Sequence, residues 1–285
     1  MDIFHTIQSM RAASREARQA GRRLAFVPTM GALHEGHLSL VRAAKVQSEV
    51  VAVSIFVNPT QFGPSEDLAR YPRPFEKDRA LLEQEGVDFL FAPPVEEMYP
   101  PGAITYVSVE GMSERLCGKS RPGHFRGVTT VVTKLFHIAE PDVAFFGQKD
   151  AAQLAIIRRM VRDLSLPVKI VGCDIVREPD GLAMSSRNAY LDASQRKAAL
   201  VLHRALAQIQ GAFRGGELSS ERLIETGMEV FGSEPAARVD YLAIVDPETL
   251  DPLTEITRPA LVAVAAYLGS TRLIDNVVLR PGAAS

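Results

Sequence analysis

The sequence contains no tryptophan and only two cysteines, Cys117 and Cys173, among its 285 residues. Two cysteines without a CxxC spacing exclude a disulfide framework and a zinc ribbon, and they fit a reducing compartment. An excess of one charge is also missing, since 32 lysines and arginines stand against 34 aspartates and glutamates and leave a formal net charge of −2. No global positive field therefore draws the chain to nucleic acid or to an anionic membrane surface.

Long apolar runs are absent as well. No stretch of about 18 uncharged apolar residues occurs, and the N-terminus lacks the basic segment and apolar run of a secretory signal. We therefore expect a cytoplasmic protein with no nucleic-acid and no membrane partner. Hydrophobic residues make up 46% and charged residues 23% of the sequence. This composition excludes a disordered chain and indicates a globular protein of about two domains.

Residues 1–176 show the pattern of an α/β domain. Continuous apolar runs, typical of strands buried on both faces of a parallel sheet, lie at 24–27, 50–57, 87–91, 143–146 and 168–176. Helical patterns long enough for crossover connections lie between them at 36–48, 74–85, 125–139 and 150–164. An opening helix is predicted over roughly 3–20, with Arg11, Arg15 and Arg18 on a face that is either solvated or a polyanion site. We predict a doubly wound parallel sheet.

The pattern changes after Asp192. Apolar residues recur at helical spacing over 202–213 and 224–231, and a Gly-Gly break separates the two stretches. Strand patterns follow at 239–245, 261–267 and 273–279, which indicates a small antiparallel sheet with one covered face. We therefore predict a second, smaller α+β domain over residues 177–285.

The strongest functional pattern follows the first apolar run. Residues 28–37 read Pro-Thr-Met-Gly-Ala-Leu-His-Glu-Gly-His, a strand end followed by a glycine turn and a helix start. The free N–H groups and the positive dipole end of a helix start suit a phosphate. His34 and His37 share a face of the first helical turn and can both donate to phosphate oxygens, while Gly36 lets a base or sugar approach the backbone. Two capping or surface histidines would give the same local pattern.

A second candidate element follows the last run of the predicted parallel sheet. Residues 181–188 read Gly-Leu-Ala-Met-Ser-Ser-Arg-Asn. The hydroxyls of Ser185 and Ser186 and the guanidinium of Arg187 suit a polyphosphate, although this composition is also common in linkers. One element opens the sheet and the other closes it. Both are therefore expected at the carboxyl ends of strands, where doubly wound folds bind their ligands.

Together the His-x-Gly-His element and the Met-Ser-Ser-Arg loop resemble the HIGH and KMSKS motifs of the nucleotidyltransferase superfamily, which includes the class I aminoacyl-tRNA synthetases. More narrowly, several blocks resemble the pantothenate synthetase family of pantoate–β-alanine ligases: PTMGALHEGH, SIFVNPTQFGPSEDLARYPR, SRPGHFRGV, FFGQKDAAQL and VREPDGLAMSSRNAYL. The resemblance implies a Rossmann-like fold and a cytoplasmic homodimer. It also implies that ATP and Mg²⁺ are used to form pantoyl adenylate and pyrophosphate, after which β-alanine takes the pantoyl group and AMP is released.

The same resemblance implies which residues form the site. It assigns catalysis to His37, His34, Lys149, Ser185, Ser186 and Arg187. It assigns ATP binding to Met30, Gly31, Ala32, Leu33, His34, Glu35, Gly36, His37, Gly147, Gln148, Lys149, Asp150, Val176, Met184, Ser185, Ser186 and Arg187. It assigns pantoate and β-alanine binding to Gln61, Gln153 and Arg121. Asp150 either caps a helix or bonds a ribose hydroxyl, and the metal ligands are left open.

The chain departs from the family pattern at a few positions. Gln148 stands where many members have Glu, Cys117 stands where relatives commonly have Glu, and Ala151 and Ala152 replace residues that are often aromatic or Gln. The missing charge at position 148 is therefore not expected to be essential. Cys117 is not expected to act as a nucleophile, because no motif histidine is placed to activate it.

Other functions share part of this pattern. An RNA-charging enzyme would contain the His-x-Gly-His element, but the sequence has no evident anticodon domain and no basic stripe. Another HIGH-type adenylyl-transferring enzyme and a non-catalytic nucleotide sensor would both keep the ATP elements, and turnover distinguishes the sensor. In an adenylate-forming enzyme, the second domain is expected to close over the active site and keep the adenylate from water.

Overall fold

The computed structural model describes residues 1–64 and 66–282. The strands of this part of the chain are β1 (Asp2–Phe4), β2 (Leu24–Thr29), β3 (Val50–Ile55), β4 (Phe89–Phe91), β5 (Val143–Gly147), β6 (Lys169–Cys173), β7 (Ala237–Val245), β8 (Ala260–Leu268) and β9 (Thr271–Leu279). The helices are α1 (Ile7–Gln19), α2 (Glu35–Gln47), α3 (Phe75–Gln84), α4 (Val95–Met98), α5 (Cys117–Ser120), α6 (His124–Ala139), α7 (Ala151–Asp163), α8 (Ala193–Ala198), α9 (Leu200–Arg214) and α10 (Ser220–Gly232). Within the described residues, no helix has the length and apolar character needed to cross a membrane.

The larger sheet is parallel and has the strand order β1-β4-β3-β2-β5-β6. The chain runs outward from β2 to β3 and β4, and then returns to the other side of β2 to form β5 and β6. The strand order therefore reverses between β2 and β5. This topology confirms the predicted doubly wound α/β fold, in which ligands bind beyond the carboxyl ends of the strands at such a reversal.

The predicted opening helix over residues 3–20 was wrong at its start. Asp2–Phe4 forms β1 beside β4, and α1 begins only at Ile7, where the Thr6 side chain accepts a hydrogen bond from the Ser9 N–H. A strand of three residues is too short to show a periodic apolar pattern.

The arginine face of α1 binds the end of α6. The guanidinium groups of Arg15 and Arg18 lie 3.1 and 3.3 Å from the Glu140 carboxylate, and Arg11 donates to the carbonyl oxygen of His137 at 3.4 Å. These contacts hold α1 against α6. The arginines therefore have partners in the chain itself, which explains their common face without a polyanion.

The smaller sheet is antiparallel, with the order β7-β8-β9. Helices α9 and α10 pack against it. A buried apolar cluster fills the space between them and includes Leu202, Leu206, Leu223, Val262 and Val264. Because each helix contributes a stripe of residues at 3.6 spacing and β8 is almost wholly apolar, this core forms without the residues of the larger sheet. The predicted α+β character of the C-terminal region is confirmed.

The chain divides into two compact units, each made of several segments. The first contains Met1–Ser113, Arg121–Gly147 and Ile156–Asp174, and the second contains Glu114–Ser120, Gln148–Ala155 and Ile175–Ser285. Residues 114–120 and 148–155, which the sequence analysis assigned to domain 1–176, thus group with the C-terminal residues. A boundary at residue 176 and a closing role for the second domain stay predictions.

Gly127 allows two parts of the first unit to approach closely. It lies inside α6, and a β-carbon on it would lie 2.3 Å from the carbonyl oxygen of Thr60. That oxygen belongs to the short 3₁₀ turn Pro59–Gln61, which carries the predicted substrate residue Gln61. A glycine is therefore required where α6 meets this turn, because the opposing atom is backbone and does not rotate away.

We expect Gly127→Ala to lower the free energy of unfolding by about 1–3 kcal/mol through overpacking. Gly211→Ala is the matched control, since Gly211 lies inside α9 with open space around it. This control should be stabilised by about 0.5–1 kcal/mol, as for other exposed helical glycines. Urea denaturation of both variants measures the difference, and an unchanged midpoint for Gly127→Ala would contradict the account of the contact.

Candidate active site

The turn after β2 is fixed by the backbone that surrounds it. The Thr29 hydroxyl donates to the carbonyl oxygen of Ser54 at 2.7 Å and accepts from the Gly31 N–H at 3.1 Å. Gly31 has φ +79°, and a β-carbon there would lie 3.0 Å from a carboxylate oxygen of Asp78 and 3.1 Å from Ile55. Both the left-handed backbone and the close neighbours therefore require glycine at this position.

Asp78 holds the next two residues of the same turn. It lies on α3 with its side chain fully buried, and its two carboxylate oxygens accept from the Ala32 N–H at 2.7 Å and the Leu33 N–H at 2.8 Å. Burial raises the pKa of this carboxyl group, although the two amide donors act in the opposite direction. Asp78 was not among the site residues predicted from the sequence, since a lone aspartate within a helix pattern gives no sign of a partner 46 residues away.

His34 and His37 begin α2 and cap it. The Gly36 N–H donates to His34 Nδ1 at 3.1 Å, and the His34 N–H donates to His37 Nδ1 at 3.4 Å, with the two ring centroids 4.2 Å apart. A neutral imidazole that accepts at Nδ1 carries its proton on Nε2, so each ring presents an Nε2–H donor. Glu35 pairs with Arg42 on the outer side of the helix. The capping and phosphate-donor interpretations are therefore compatible, because they use different ring nitrogens.

Gln61 is buried and its amide is held in one orientation. Asn58 donates from Nδ2 to Gln61 Oε1 at 3.0 Å, and Gln61 Nε2 donates to the Met30 sulfur at 3.0 Å. Asn58 itself is 1% exposed, and its Oδ1 accepts from the hydroxyls of Thr60 and Tyr99, both at 2.9 Å. Asn58, which was not predicted from the sequence, thus positions the amide of Gln61, and Gln61 in turn contacts Met30 in the turn after β2.

Arg121 lies beside Gln61 and already contacts a carboxylate. Its Nε and Nη2 donate to the two oxygens of Glu66 at 2.7 and 2.6 Å, and its Nη1 lies 3.0 Å from Nε2 of His124. His124 donates from Nδ1 to the carbonyl oxygen of Gln61 at 2.9 Å. Burial raises the pKa of Glu66, but the hydrogen bonds and charge of Arg121 outweigh it and hold this pKa below its ordinary value. Hydrogen bonds within the first unit therefore link Arg121 to Gln61 through His124, and link Gln61 to Met30.

A cavity of about 380 Å³ lies at the same edge of the larger sheet. Its walls include Met30 and Gly31 after β2, residues 55–57 at the end of β3 and residues 92–95 after β4. The carboxyl ends of three neighbouring strands thus open on one space, which is where ligands bind in α/β folds. Of the predicted site residues, Met30 and Gly31 line this cavity.

In the second unit, Asn276 holds the turn that carries Lys149. The Asn276 side chain is 2% exposed and donates from Nδ2 to the carbonyl oxygens of Gln148 and Lys149, both at 2.9 Å. In return, Gln148 donates from Nε2 to Asn276 Oδ1 at 3.2 Å. A carboxylate at position 148 would lack that donor, which gives a physical reason for Gln148 in this chain. The Lys149 ammonium lies 3.3 Å from the Asp150 carboxylate, and Gln153 is half-buried in the first turn of α7.

The loop of Ser185, Ser186 and Arg187 follows a tight turn in the second unit. The N–H groups of Glu178 and Met184 donate to the carbonyl oxygens of Leu182 and Val176, at 2.8 and 3.0 Å respectively. The Ser185 hydroxyl accepts from the Arg187 N–H at 3.3 Å and begins the 3₁₀ turn Ser186–Tyr190.

Strand β9 packs against the two turns of the second unit that carry predicted site residues, Gln148–Asp150 and Ser186–Tyr190. The second unit therefore brings Lys149 and the Ser185–Arg187 loop to one strand. Gly147 ends β5 in the first unit, next to this turn in sequence. The predicted site residues thus form two groups, one in each unit, and their catalytic and binding roles stay predictions.

Cys117 takes part in packing rather than in a reactive site. Its sulfur lies 3.2 Å from the Tyr241 hydroxyl and 3.5 Å from Nη1 of Arg272. Arg272 also binds the Asp240 carboxylate at 2.7 Å, which accepts from the Ser120 hydroxyl at 2.7 Å. Burial raises the pKa of Tyr241 well above its ordinary value, so this hydroxyl stays protonated and hydrogen-bonded. The cluster attaches α5 to the smaller sheet.

A model of the pantoate-beta-alanine ligase family matches residues 2–278. The chain belongs to the pantoate-beta-alanine ligase family. Among relatives of known name, the pantothenate synthetase of Koribacter versatilis is 60% identical over 280 residues, covering 98% of this chain and 96% of the relative. The pantothenate synthetase of Thermotoga petrophila is 55% identical over 279 residues, covering 98% of this chain and 100% of the relative.

Solved structures of this ligase family share the fold. The pantothenate synthetase of Thermus thermophilus matches with a TM-score of 0.92 at 50% identity, over 97% of this chain and 99% of that one. The pantoate-beta-alanine ligase of Francisella tularensis, solved with beta-gamma ATP and beta-alanine, matches with a TM-score of 0.81 at 34% identity, over 98% of this chain and 97% of that one. The family assigned from the sequence motifs is confirmed.

We expect Asp78→Asn to lower the free energy of unfolding by about 1–3 kcal/mol, because an amide nitrogen would replace one of two acceptors and leave a buried backbone N–H without a partner. Glu76→Gln on the same helix is the control, since Glu76 is 78% exposed. Its effect should stay within about 0.5 kcal/mol. Denaturant unfolding of the two variants is the measurement. Equal stability would mean that Asp78 does not hold the turn.

Proposed function

We propose that this chain condenses (R)-pantoate with β-alanine in an ATP-dependent reaction that forms pantothenate, AMP and pyrophosphate. The observation that carries this proposal is the family match over residues 2–278, because it spans both units and every predicted site residue. The Francisella tularensis relative was solved with beta-gamma ATP and beta-alanine, which supports the same two substrates here.

The first step must activate a carboxylate, which is a poor electrophile in water. We propose that an oxygen of the pantoate carboxylate attacks the α-phosphorus of ATP and that pyrophosphate leaves in line. The protein's contribution to such a step is positioning and stabilisation of phosphoryl charge. The Nε2–H donors of His34 and His37 supply part of that stabilisation from the helix start in the first unit. Lys149 and the Ser185, Ser186 and Arg187 loop supply the rest from the second unit.

The second step joins the activated acid to the amine. An amine of this type has a pKa near ~10 and must lose a proton before it attacks. The β-alanine nitrogen then attacks the acyl carbon of pantoyl adenylate, the bond from that carbon to the AMP oxygen breaks, and AMP leaves. No protein nucleophile is needed. Gln61, held by Asn58, and Gln153 are suited to hydroxyl and amide contacts, and Arg121 is suited to a carboxylate.

Magnesium enters this proposal with the nucleotide. Among the residues that the structure describes, no group of three or more His, Cys, Asp or Glu side chains is arranged to hold a metal ion. Mg²⁺ commonly binds through substrate phosphates, waters and one or two carboxylates. The described side chains therefore fit an ion held mainly by the nucleotide better than an ion held only by protein ligands. When bound, it would neutralise phosphate charge, and the Asp150 carboxylate lies in the turn that carries Lys149.

Two other functions are tested by the same reaction. Another HIGH-type adenylyl transfer would use a different acid, and a nucleotide sensor would not turn over. The full-length match to named pantothenate synthetases favours pantoate as the acid.

Cys117 and Cys173 are both free thiols, and we propose a reducing cytoplasmic location.

The order of bond making gives a direct test. When the carboxylate of pantoate is labelled with heavy oxygen, we expect one labelled atom in AMP and none in pyrophosphate, because that oxygen attacks the α-phosphorus and later leaves with AMP. Mass spectrometry of the products measures this. Label in inorganic phosphate together with ADP would indicate an acyl phosphate, and the absence of any pantothenate would refute the proposed function. Pantoate-dependent ATP–pyrophosphate exchange without β-alanine isolates the first step.

We also propose that the chain forms a homodimer. A segment of the first unit that forms neither helix nor strand presents Ile104 and Tyr106, which are 85% and 49% exposed. Large exposed apolar side chains are suited to burial against a second chain.

Light scattering coupled to size-exclusion chromatography should give twice the mass of 31.1 kDa. We expect Ile104→Lys to shift this mass toward the monomer, because it places a charge in the interface. Val46→Lys is the control, since Val46 on α2 is 86% exposed. A monomeric wild-type protein would refute the dimer, and a shift caused by Val46→Lys alone would place the interface on α2 instead.

A further inference from the structure

The predicted substrate residue Arg121 is occupied by a carboxylate of its own chain. Glu66 binds the Nε and Nη2 edge of the guanidinium at 2.7 and 2.6 Å. Both side chains are largely buried, with 16% of Arg121 and 21% of Glu66 exposed. Nη1 faces His124 Nε2 at 3.0 Å, and Nη2 also lies 3.4 Å from the carbonyl oxygen of Gln61. Every nitrogen of the guanidinium thus has a partner within the first unit.

This geometry limits how a second carboxylate can bind. A guanidinium presents its donors in a planar fork, and one edge of the fork matches one carboxylate through two parallel hydrogen bonds. Glu66 takes the Nε and Nη2 edge. The other edge, between Nη1 and Nη2, faces the ring of His124 and the Gln61 carbonyl. A substrate carboxylate that binds Arg121 through two hydrogen bonds must therefore displace one of these partners.

We propose that Glu66 determines the affinity and selectivity of Arg121 for a substrate carboxylate, by holding the Nε and Nη2 edge until the substrate carboxylate replaces it. This inference rests on the proposed function, which supplies two substrates with a carboxylate, pantoate and β-alanine. The exchange conserves charge at Arg121, since one carboxylate leaves as another arrives. The guanidinium, whose side chain is largely buried, is therefore never left without a carboxylate partner.

Glu66 is suited to this exchange by its position. It lies between the 3₁₀ turn of Pro59–Gln61 and the short turn Asp67–Ala69, outside any helix or strand. Its N–H donates to the Gly63 carbonyl oxygen at 3.0 Å, so it is attached locally rather than through a regular element. Part of each charged side chain remains in contact with water, so the two groups can separate without leaving either charge fully removed from solvent. A substrate at a high concentration can therefore compete with Glu66.

Competition of this kind raises the apparent dissociation constant of the substrate. If Arg121 is paired with Glu66 in about ten molecules for each molecule in which it is released, the apparent constant rises about tenfold. A ligand without a carboxylate has nothing to exchange and leaves the pair intact. The contact thus selects for carboxylates at the expense of affinity, which is one way in which a site rejects neutral analogues.

Glu66→Gln tests the exchange, because glutamine keeps the size of the side chain and one acceptor oxygen but removes the charge. We expect the KM of one carboxylate substrate to fall about 3–10-fold, with kcat and the KM of ATP within about twofold of the wild-type values. ATP–pyrophosphate exchange without β-alanine measures the pantoate arm. The complete reaction at saturating pantoate measures the β-alanine arm. The arm that responds identifies the carboxylate bound by Arg121.

Two further variants separate competition from a structural role. Glu76→Gln removes the same charge from a glutamate that pairs with Arg79 at 3.3 Å in the same unit, and it should leave both KM values unchanged. In an Arg121→Gln background, Glu66→Gln should cause no further fall in either KM, since the edge for which the carboxylates compete is gone. Glu66→Asp keeps the charge with a shorter reach and should give a smaller fall, which provides a second measurement if Glu66→Gln folds poorly.

The outcomes are distinct. Unchanged KM values in Glu66→Gln and Glu66→Asp, or a rise in KM, would overturn the inference, because a rise would mean that Glu66 orients Arg121 for the substrate instead of competing with it. A fall in the KM of ATP alone would also overturn it. If the wild-type protein forms no pantothenate, the proposed function itself fails. Calorimetric titration of pantoate and of β-alanine into the wild-type and Glu66→Gln proteins then still decides whether Glu66 opposes carboxylate binding.

Discussion

Two neighbouring backbone amides, at Ala32 and Leu33, need two buried acceptors that are held at a fixed separation, and a carboxylate is the side-chain group that provides them. Asp78 meets this requirement from a different part of the chain, with its charge removed from water. This contact fixes the glycine turn that leads into α2, where His34 and His37 cap the helix. The cavity at the edge of the larger sheet is lined by Met30, Gly31 and Asp78 itself, so this contact helps to shape the candidate site.

Neutral amide side chains hold several of the predicted site residues, alongside the carboxylates of Asp78 and Glu66. Asn58 orients Gln61 in the first unit, and Asn276 and Gln148 hold the turn of Lys149 in the second. An amide side chain both donates and accepts, so one residue can satisfy a carbonyl oxygen and another amide at once without burying a charge. Such contacts fix Gln61 and the Lys149 turn without placing a further charge beside them.

The sequence predicted most of the architecture, because buried parallel strands and amphipathic helices leave strong periodic patterns. The sequence motifs also identified the family correctly, since the residues of each motif are contiguous in the chain. The edge strand Asp2–Phe4 was missed because three residues carry no period. Asp78, Asn58, Asn276 and Glu66 were missed for another reason. Asp78, Asn276 and Glu66 have partners 46, 128 and 55 residues away, and Asn58 holds the nearby Gln61 while it also donates to the carbonyl oxygen of Gly127, 69 residues away, so only the folded chain brings these groups together.

The attachment of the Lys149 turn has a consequence for the working range of the protein. Amide side chains and backbone carbonyls neither gain nor lose protons between mildly acidic and mildly alkaline conditions, so the contacts of Asn276 with Gln148 and Lys149 do not weaken with acidity. The pair of Arg121 and Glu66 depends instead on a carboxylate, whose pKa Arg121 holds below its ordinary value. Protonation of Glu66, at a pH below its lowered pKa, should therefore release Arg121 while the contacts of Asn276 with the lysine turn stay in place.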